Sequence, residues 1–231
     1  MNLLDILFPV NCLGCGKTGN YLCSSCLAKL DTPKLICSVC ERPQPFGETH
    51  PKCKTEHSLD GLVYFYDYKG IIRDAIHKLK YHYITDLAIE LENQIIKQLN
   101  TPQNIYGSIH RCIEMNGPTV APVPLFWYKE NRRGFNQASL FGQAIAKHFD
   151  LPFDDHILIR TKPTISQTKL SYKNRKENVE GIFCVLPSVP IPNPSILLVD
   201  DVWTTGATMK EVCKTLKKTG VKEVWGLTIA R

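Results

Sequence analysis

Residues Ser195–Glu211 read SILLVDDVWTTGATMKE. The aliphatic run Ile196–Val199 leads straight into two adjacent carboxylates, Asp200 and Asp201, and a hydroxyl-rich TTGAT begins at Thr204. An unbroken apolar run bounded by loops reads as a strand buried on both faces. Acids at its carboxyl end fall where open α/β sheets bind ligands, and there they can accept hydrogen bonds from a pair of vicinal hydroxyls. Thr204–Thr208 offers backbone N–H groups, three hydroxyls and a glycine that permits close approach. It runs into a helical pattern, whose N-terminus attracts an anion. Hydroxyl acceptors beside an anion nest imply a receptor for a ribose 5-phosphate. The absence of G-x4-G-K-[ST] argues against a nucleotide P-loop.

Working outward, strands alternate with helices. LVYFYDY reads as a strand, followed by a helix from Gly70 through Ile72, Ile76 and Leu79. That helix carries His77, Lys78, Lys80 and His82 toward its end, where cations suit the helix dipole. A second helix spans about Asp86 to Leu99, ending at TPQN. TVAPVPL is a strand, followed by a basic turn and a helix from about Asn136 to Phe149. HILIR, FCVL, SILLVD and VKEVWGLTIA are further strands, with a helix over Gly206–Lys218. Residues 161–180 read as a mobile basic loop, and PSVPIPNPS as a connector. The expected fold is α/β, a parallel sheet covered on both faces, over residues 60–231. Residues 1–59 form a separate small module.

That module is defined by its cysteines. Seven of ten precede residue 54. Cys12, Cys15, Cys23 and Cys26 make C-x2-C-x7-C-x2-C; Cys37, Cys40, His50 and Cys53 make C-x2-C-x9-H-x2-C. Each C-x2-C knuckle presents two ligands to one Zn2+, and two knuckles complete a tetrahedron. Two structural Zn2+ are expected, paired sequentially because each set is locally complete. A cross-braced exchange of knuckles, or His57 in place of His50, are the alternatives. With all four positions filled, neither ion has a vacancy for catalysis. About 60 residues with few large apolar side chains need such metal to fold. Cys112, Cys184 and Cys213 read as core thiols.

Charge is uneven. Residues 1–60 carry six Lys/Arg and six Asp/Glu, so the net +6 resides in residues 61–231. Two segments account for it. One holds Lys129, Arg132 and Arg133 against Glu130, a surplus of +2; the other holds Arg160, Lys162, Lys169, Lys173, Arg175 and Lys176 against Glu177 and Glu180, a surplus of +4. Such clustering points to polyanionic ligands at two loops. With thiolates bound to zinc the module is itself negative, a poor match to phosphates. No apolar run has the length of a membrane span. The apolar start MNLLDILFPVNC is interrupted by Asp5 and lacks a basic region, so it reads as a docking helix rather than an export signal. A cytoplasmic protein with reduced thiols is expected.

The segment from Asp200 to Thr208 resembles the phosphoribosyl pyrophosphate (PRPP) motif of type I phosphoribosyltransferases. With VAPVPLFWYKENRRGFNQA, RTKPTISQTKLSYKNRKENVEGIF and the double zinc ribbon containing CERPQ, the whole chain resembles the ComF family of competence-related proteins. The resemblance implies that Asp200 and Asp201 contact the ribose hydroxyls and that Thr204, Thr205, Gly206, Ala207 and Thr208 hold the 5-phosphate. It implies that Arg132 and Arg133 face the pyrophosphate, and that Arg160 through Gln167, Arg175 and Asn178 form a closing loop. Mg2+ would enter with PRPP. Thr204 stands where 6-oxopurine salvage enzymes carry an acid, which argues against hypoxanthine or guanine as acceptor. Trp203 reads as packing rather than base-stacking, and His77 and His82 as surface residues.

Two readings of function follow. One is a PRPP-dependent transferase acting on an unidentified nitrogen acceptor. The other is a non-catalytic accessory factor in DNA uptake that binds single-stranded DNA or senses PRPP, with Tyr128, Phe135 and Tyr172 among its basic residues. Other competence proteins are the partners that the resemblance implies.

Overall fold

The computed structural model describes residues 9–82, 84–100, 107–163, 179–186 and 194–231. In chain order these form α1 (Ser24–Leu27), β1 (Gly61–Tyr66), α2 (Gly70–His82), α3 (Thr85–Leu99), α4 (Gly107–Asn116) and β2 (Thr119–Pro122). There follow α5 (Trp127–Arg133), α6 (Gln137–Phe149), β3 (Leu158–Arg160), β4 (Phe183–Val185), β5 (Ser195–Val202), α7 (Ala207–Lys218) and β6 (Glu223–Ala230).

Four strands make one parallel sheet in the order β1-β6-β5-β2. All six residues of β1 are buried, as are Ser195–Val199 of β5. Phe141 of α6 meets Phe65 edge to face at 6.2 Å. Met209 of α7 lies beside Leu62 at Gly226. Leu62 and Phe65 point to opposite faces of β1, so α6 and α7 cover opposite sides of the sheet. Since the strands are parallel, their carboxyl ends share one edge, which carries Asp67, Val123, Asp200, Asp201 and Arg231.

The cysteine-rich module is continuous with this core, since Leu22, Leu35 and Ile36 join its buried cluster. Its first half docks on α3, where the Glu90 carboxylate accepts from the N–H groups of Tyr21 (3.1 Å) and Leu22 (2.8 Å). Its second half runs antiparallel along β1. The Leu62 N–H donates to Gly47 O, and the Thr49 N–H to Asp60 O, each at 2.8 Å. An edge strand that would otherwise invite association is thereby covered. Asp60 anchors the junction: buried, it pairs with Lys54 and Lys217, each at 2.8 Å, and accepts from the Val224 N–H at 2.9 Å.

Three expectations change. HILIR and FCVL supply β3 and β4, which pair antiparallel with each other and stay outside the main sheet. Only Leu158 and Phe183 of their six residues are buried, the half-buried pattern of an antiparallel pair. Cys184 is therefore exposed, on the outer face of β4, whereas Cys112 and Cys213 are core thiols as read. The basic turn is a helix, α5, stopped by Gly134 in the left-handed conformation (φ 74°) with Arg132 and Arg133 at its dipole-favoured end. Helix α4, which the sequence reading does not anticipate, buries only Ile109, Cys112 and Ile113 among its described side chains, too short a stripe to announce itself. The start of the chain, most of the basic loop (164–178) and most of the PSVPIPNPS connector lie outside the described residues.

Candidate ligand site and metal centres

Asp200 and Asp201 sit at the carboxyl end of β5, as the apolar run predicts, and both are half-buried. Their environments differ. Asp201 is clamped by Lys80 from α2, with Nζ 3.0 Å from Oδ1 and 2.9 Å from Oδ2. Burial works against the charge on Lys80, but Asp201 and then Asp200 outweigh it and raise its pKa. Among the described residues Asp200 has no such clamp, and it accepts from the Asp201 N–H at 2.8 Å. Burial, and then the neighbouring Asp201 charge, push its pKa up to about 7, against the pull of Lys80 and Arg160. One acid is tied to a lysine and the other is poised to exchange a proton at neutrality.

Cations ring this pair. Arg160, at the end of β3, feels Asp200, but burial dominates and lowers its pKa; its guanidinium lies 5.6 Å from the Phe183 ring centre. Lys129 on α5 is also depressed, first by burial, then by Arg160, Arg133 and Lys80. Lys129 thus meets three further cations from α2, α5 and β3, two of which, Lys80 and Arg160, also act on Asp200. Arg133 is fixed by a 3.1 Å bond to Gln137 Oε1 and lies over Tyr81 at 5.8 Å; Gln137 in turn donates to Leu79 O at 3.1 Å. Asn136 caps α6, accepting from the Ala138 N–H at 3.1 Å and donating to Val123 O at 3.0 Å. That bond ties α6 to the carboxyl end of β2 and sets the position of α5.

The loop after β5 has the form of an anion nest. Gly206 is left-handed (φ 69°) and opens α7. A Cβ there would lie 2.1 Å from Trp203 Cζ2, so only glycine lets the loop close over this ring. Trp203 is fully buried and packs beneath the loop, as read. Thr205 Oγ1 accepts a long bond (3.4 Å) from the Ala207 N–H, and Lys210 Nζ donates to Thr205 O at 3.4 Å.

In the cysteine-rich module, the ligand atoms of Cys12, Cys15, Cys23 and Cys26 lie within 4.8 Å of one another, and so do those of Cys37, Cys40, His50 and Cys53. This is the sequential grouping, with His50 rather than His57. The two sets fit structural zinc. Their own chemistry supports the fit. Ser25 first, then the Cys26 N–H, lowers the Cys23 pKa to about 6, while Cys26 is pushed up to about 12 chiefly by Cys23 and Cys15. Arg42 lowers Cys40 to about 6, and burial with Cys40 and Cys37 raises Cys53 to about 11. Such a cage cannot ionise fully without a cation to share.

Comparison with known proteins agrees with this layout. Residues 3–54 match the double zinc ribbon domain and residues 136–230 the phosphoribosyl transferase domain. Competence protein F of Haemophilus influenzae is 32% identical, over 91% of this chain and 98% of its own length. The chain belongs to the ComF family. Among other ComF relatives, DNA utilization protein YhgH of Escherichia coli is 28% identical over 89% of each chain, and competence protein ComFC of Bacillus subtilis 26% identical over 88% of this chain and 81% of that one.

Within this ComF fold, Asp200 and Asp201 stand directly before Thr204–Thr208, with Arg160 close enough to act on Asp200, while Arg133 reaches this cluster only through Lys129. Arg132 is exposed on α5. Arg175, Gln167, Asn178 and Tyr172 lie outside the described residues. His77 is exposed, as read. Lys80 and Lys129 are the additions: the sequence reading has Lys80 only as a cation near a helix end and Lys129 only as part of a basic segment. The signal for Lys80 is its spacing: Ile72, Ile76 and Lys80 fall on one helical stripe, so a cation replaces the next apolar residue on the face packed against the sheet.

Proposed function

We propose that this ComF protein binds PRPP at the carboxyl edge of its sheet and transfers the phosphoribosyl group to a nitrogen acceptor. The observation that carries the reading is the unequal acid pair, Asp201 clamped by Lys80 and Asp200 near neutrality, immediately before a left-handed glycine nest. Asp200 and Asp201 accept hydrogen bonds from the two ribose hydroxyls. Thr204, Thr205, Gly206, Ala207 and Thr208 hold the 5-phosphate through N–H groups and hydroxyls. Arg133, Arg160, Lys80 and Lys129 take the pyrophosphate, with Arg132 and Arg175 as further contacts that the family resemblance implies. Mg2+ brought with PRPP supplies neutralising charge, and Asp200 and Asp201 are the residues that would hold it. In the reaction, the acceptor nitrogen forms a bond to C1 as the C1–O bond breaks, and the electron pair leaves with pyrophosphate. Fixed cations on that side favour the departing charge.

A second reading is favoured by α5, where Trp127 is 62% and Tyr128 58% exposed among Lys129, Arg132 and Arg133. Exposed aromatic rings interleaved with cations suit stacked bases of single-stranded DNA. The relatives' names refer to competence and DNA utilization, and an accessory role in DNA uptake beside other competence proteins fits them. No helix among the described residues is long and apolar enough to cross a membrane. A cytoplasmic site of action goes with either reading.

One experiment separates the two: pyrophosphate release from PRPP against a panel of nucleobases and amines, alongside single-stranded DNA binding at several salt concentrations. Acceptor-dependent release that vanishes in Asp200→Ala and Asp201→Ala supports the transferase. Salt-sensitive DNA binding that survives both changes, with no release, supports the binder.

A further inference from the structure

The leading knuckles of the two metal sites, Cys12–Cys15 and Cys37–Cys40, share one backbone design. In the first, the Gly16 N–H donates to Cys12 O and the Cys12 N–H to Lys17 O, each at 2.9 Å; in the second, Glu41 donates to Cys37 O at 2.9 Å and Cys37 to Arg42 O at 3.0 Å. The residue after the second cysteine is left-handed in both, with φ 72° at Gly16 and 57° at Glu41. Glycine adopts that conformation without strain, whereas glutamate is disfavoured there. A strained residue points to a use for its side chain. The Glu41 carboxylate reaches out of the module to Arg231, 3.2 Å away at the end of β6, and to Lys210 Nζ at 3.9 Å on α7.

Lys210 is itself out of place. It follows the first turn of α7, near the positive end of the helix dipole, and that turn carries no acid of its own. Its ammonium lies 5.1 Å from the Trp203 ring centre and donates to Thr205 O at 3.4 Å. Turning the Thr205 carbonyl toward Lys210 keeps that acceptor from an incoming anion. Packing does not supply this link. A cavity of about 430 Å³ lies between Ser38, Val39 and His57 of the module and Ala207, Lys210 and Lys214 of α7.

We infer that Glu41 is a positioning residue: from the second metal knuckle it holds Lys210, and through Lys210 the Thr205 carbonyl, so that the nest faces its anion. The inference rests on the reading of Thr204–Thr208 as a phosphate site. The metal would set the knuckle and hence the reach of Glu41, so a site described as structural also tunes ligand affinity.

The test uses the full-length, zinc-loaded protein with PRPP and Mg2+ in a calorimeter, and backbone amide shifts of residues 205–208 without ligand. Glu41→Gly and Glu41→Gln should each weaken PRPP about 5–10-fold, a typical coupling, and move those amide signals. Glu41→Gly should keep or raise the melting temperature, because glycine suits the left-handed position; a merely structural Glu41 would lower it. Lys210→Gln combined with Glu41→Gln should be no worse than either alone. If the unaltered protein binds PRPP and both Glu41 variants bind it equally well or more tightly, the inference is overturned and the site reading stands. If the unaltered protein does not bind PRPP, the site reading fails, and unmoved amide signals then overturn the Glu41 link as well.

Discussion

The cysteine cages and the carboxyl edge of the sheet both gather like charges at close range, and they resolve the repulsion differently. In the cages, Cys26 and Cys53 are pushed up to about 12 and 11 while Cys23 and Cys40 fall to about 6, a conflict that a permanently bound cation removes. At the edge, Lys80 pairs with one carboxylate, Asp200 stays near 7, and Lys129 is pressed by three neighbouring cations. One region is complete once metal is bound; the other keeps its imbalance until a ligand carrying both hydroxyls and phosphates arrives. Stability and binding should therefore respond oppositely in the two regions.

Metal removal should produce the largest effect. Structural zinc in small modules contributes roughly 10–16 kcal/mol per site. Chelation at neutral pH should unfold the cysteine-rich module and uncover the edge of β1, read as loss of its amide signals and onset of aggregation; an unchanged spectrum would contradict the fit. Metal analysis should find about two Zn2+ per chain.

Next comes the junction. Asp60→Ala leaves Lys54 and Lys217 without their shared carboxylate and should cost about 3–5 kcal/mol by denaturant titration. Burial resists ionisation of Asp60, but Lys217, Lys54 and the Val224 N–H prevail and hold its pKa below the usual range. Its contribution is thus present above about pH 4, the unfolded value, and is lost as pH falls through the lower folded value. The Asp60→Ala variant should lack that acid-side loss.

The third effect has the opposite sign. Asp200 has a raised pKa, so its contribution is fully present below about pH 4, the unfolded value, and is lost as pH rises through the folded value of about 7. Asp200→Asn should stabilise the ligand-free protein above neutral pH by on the order of 2 kcal/mol while abolishing PRPP binding. Destabilisation at that pH would mean that Asp200 is an ordinary structural acid. Smallest in stability is Trp127→Ala, within about 0.5 kcal/mol for an exposed position. If the second reading holds, the same change weakens single-stranded DNA binding by about 1–3 kcal/mol.

The sequence reveals these regions unequally for physical reasons. C-x2-C spacing and an apolar run ending in paired acids are local patterns imposed by tetrahedral coordination and a buried parallel strand, so both are visible in a short window. The partners of those acids are not local. Lys80 lies 121 residues from Asp201, and only the packing of α2 against the sheet reveals the pair. Glu41 looks like any charged knuckle residue until its backbone angle and its contact with Lys210 are known. The pairing of strands β3 and β4 and the exposure of Cys184 are hidden for another reason: three-residue elements are too short to display alternation.

The account rests most directly on the affinity of this edge for PRPP. Calorimetric titration with the magnesium salt should show saturable heat, with affinity rising from about pH 6 to about pH 8 as Asp200 deprotonates. That heat should vanish in Asp200→Asn and Asp201→Asn. Absence of heat with the unaltered protein, or heat that both substitutions leave intact, would contradict it.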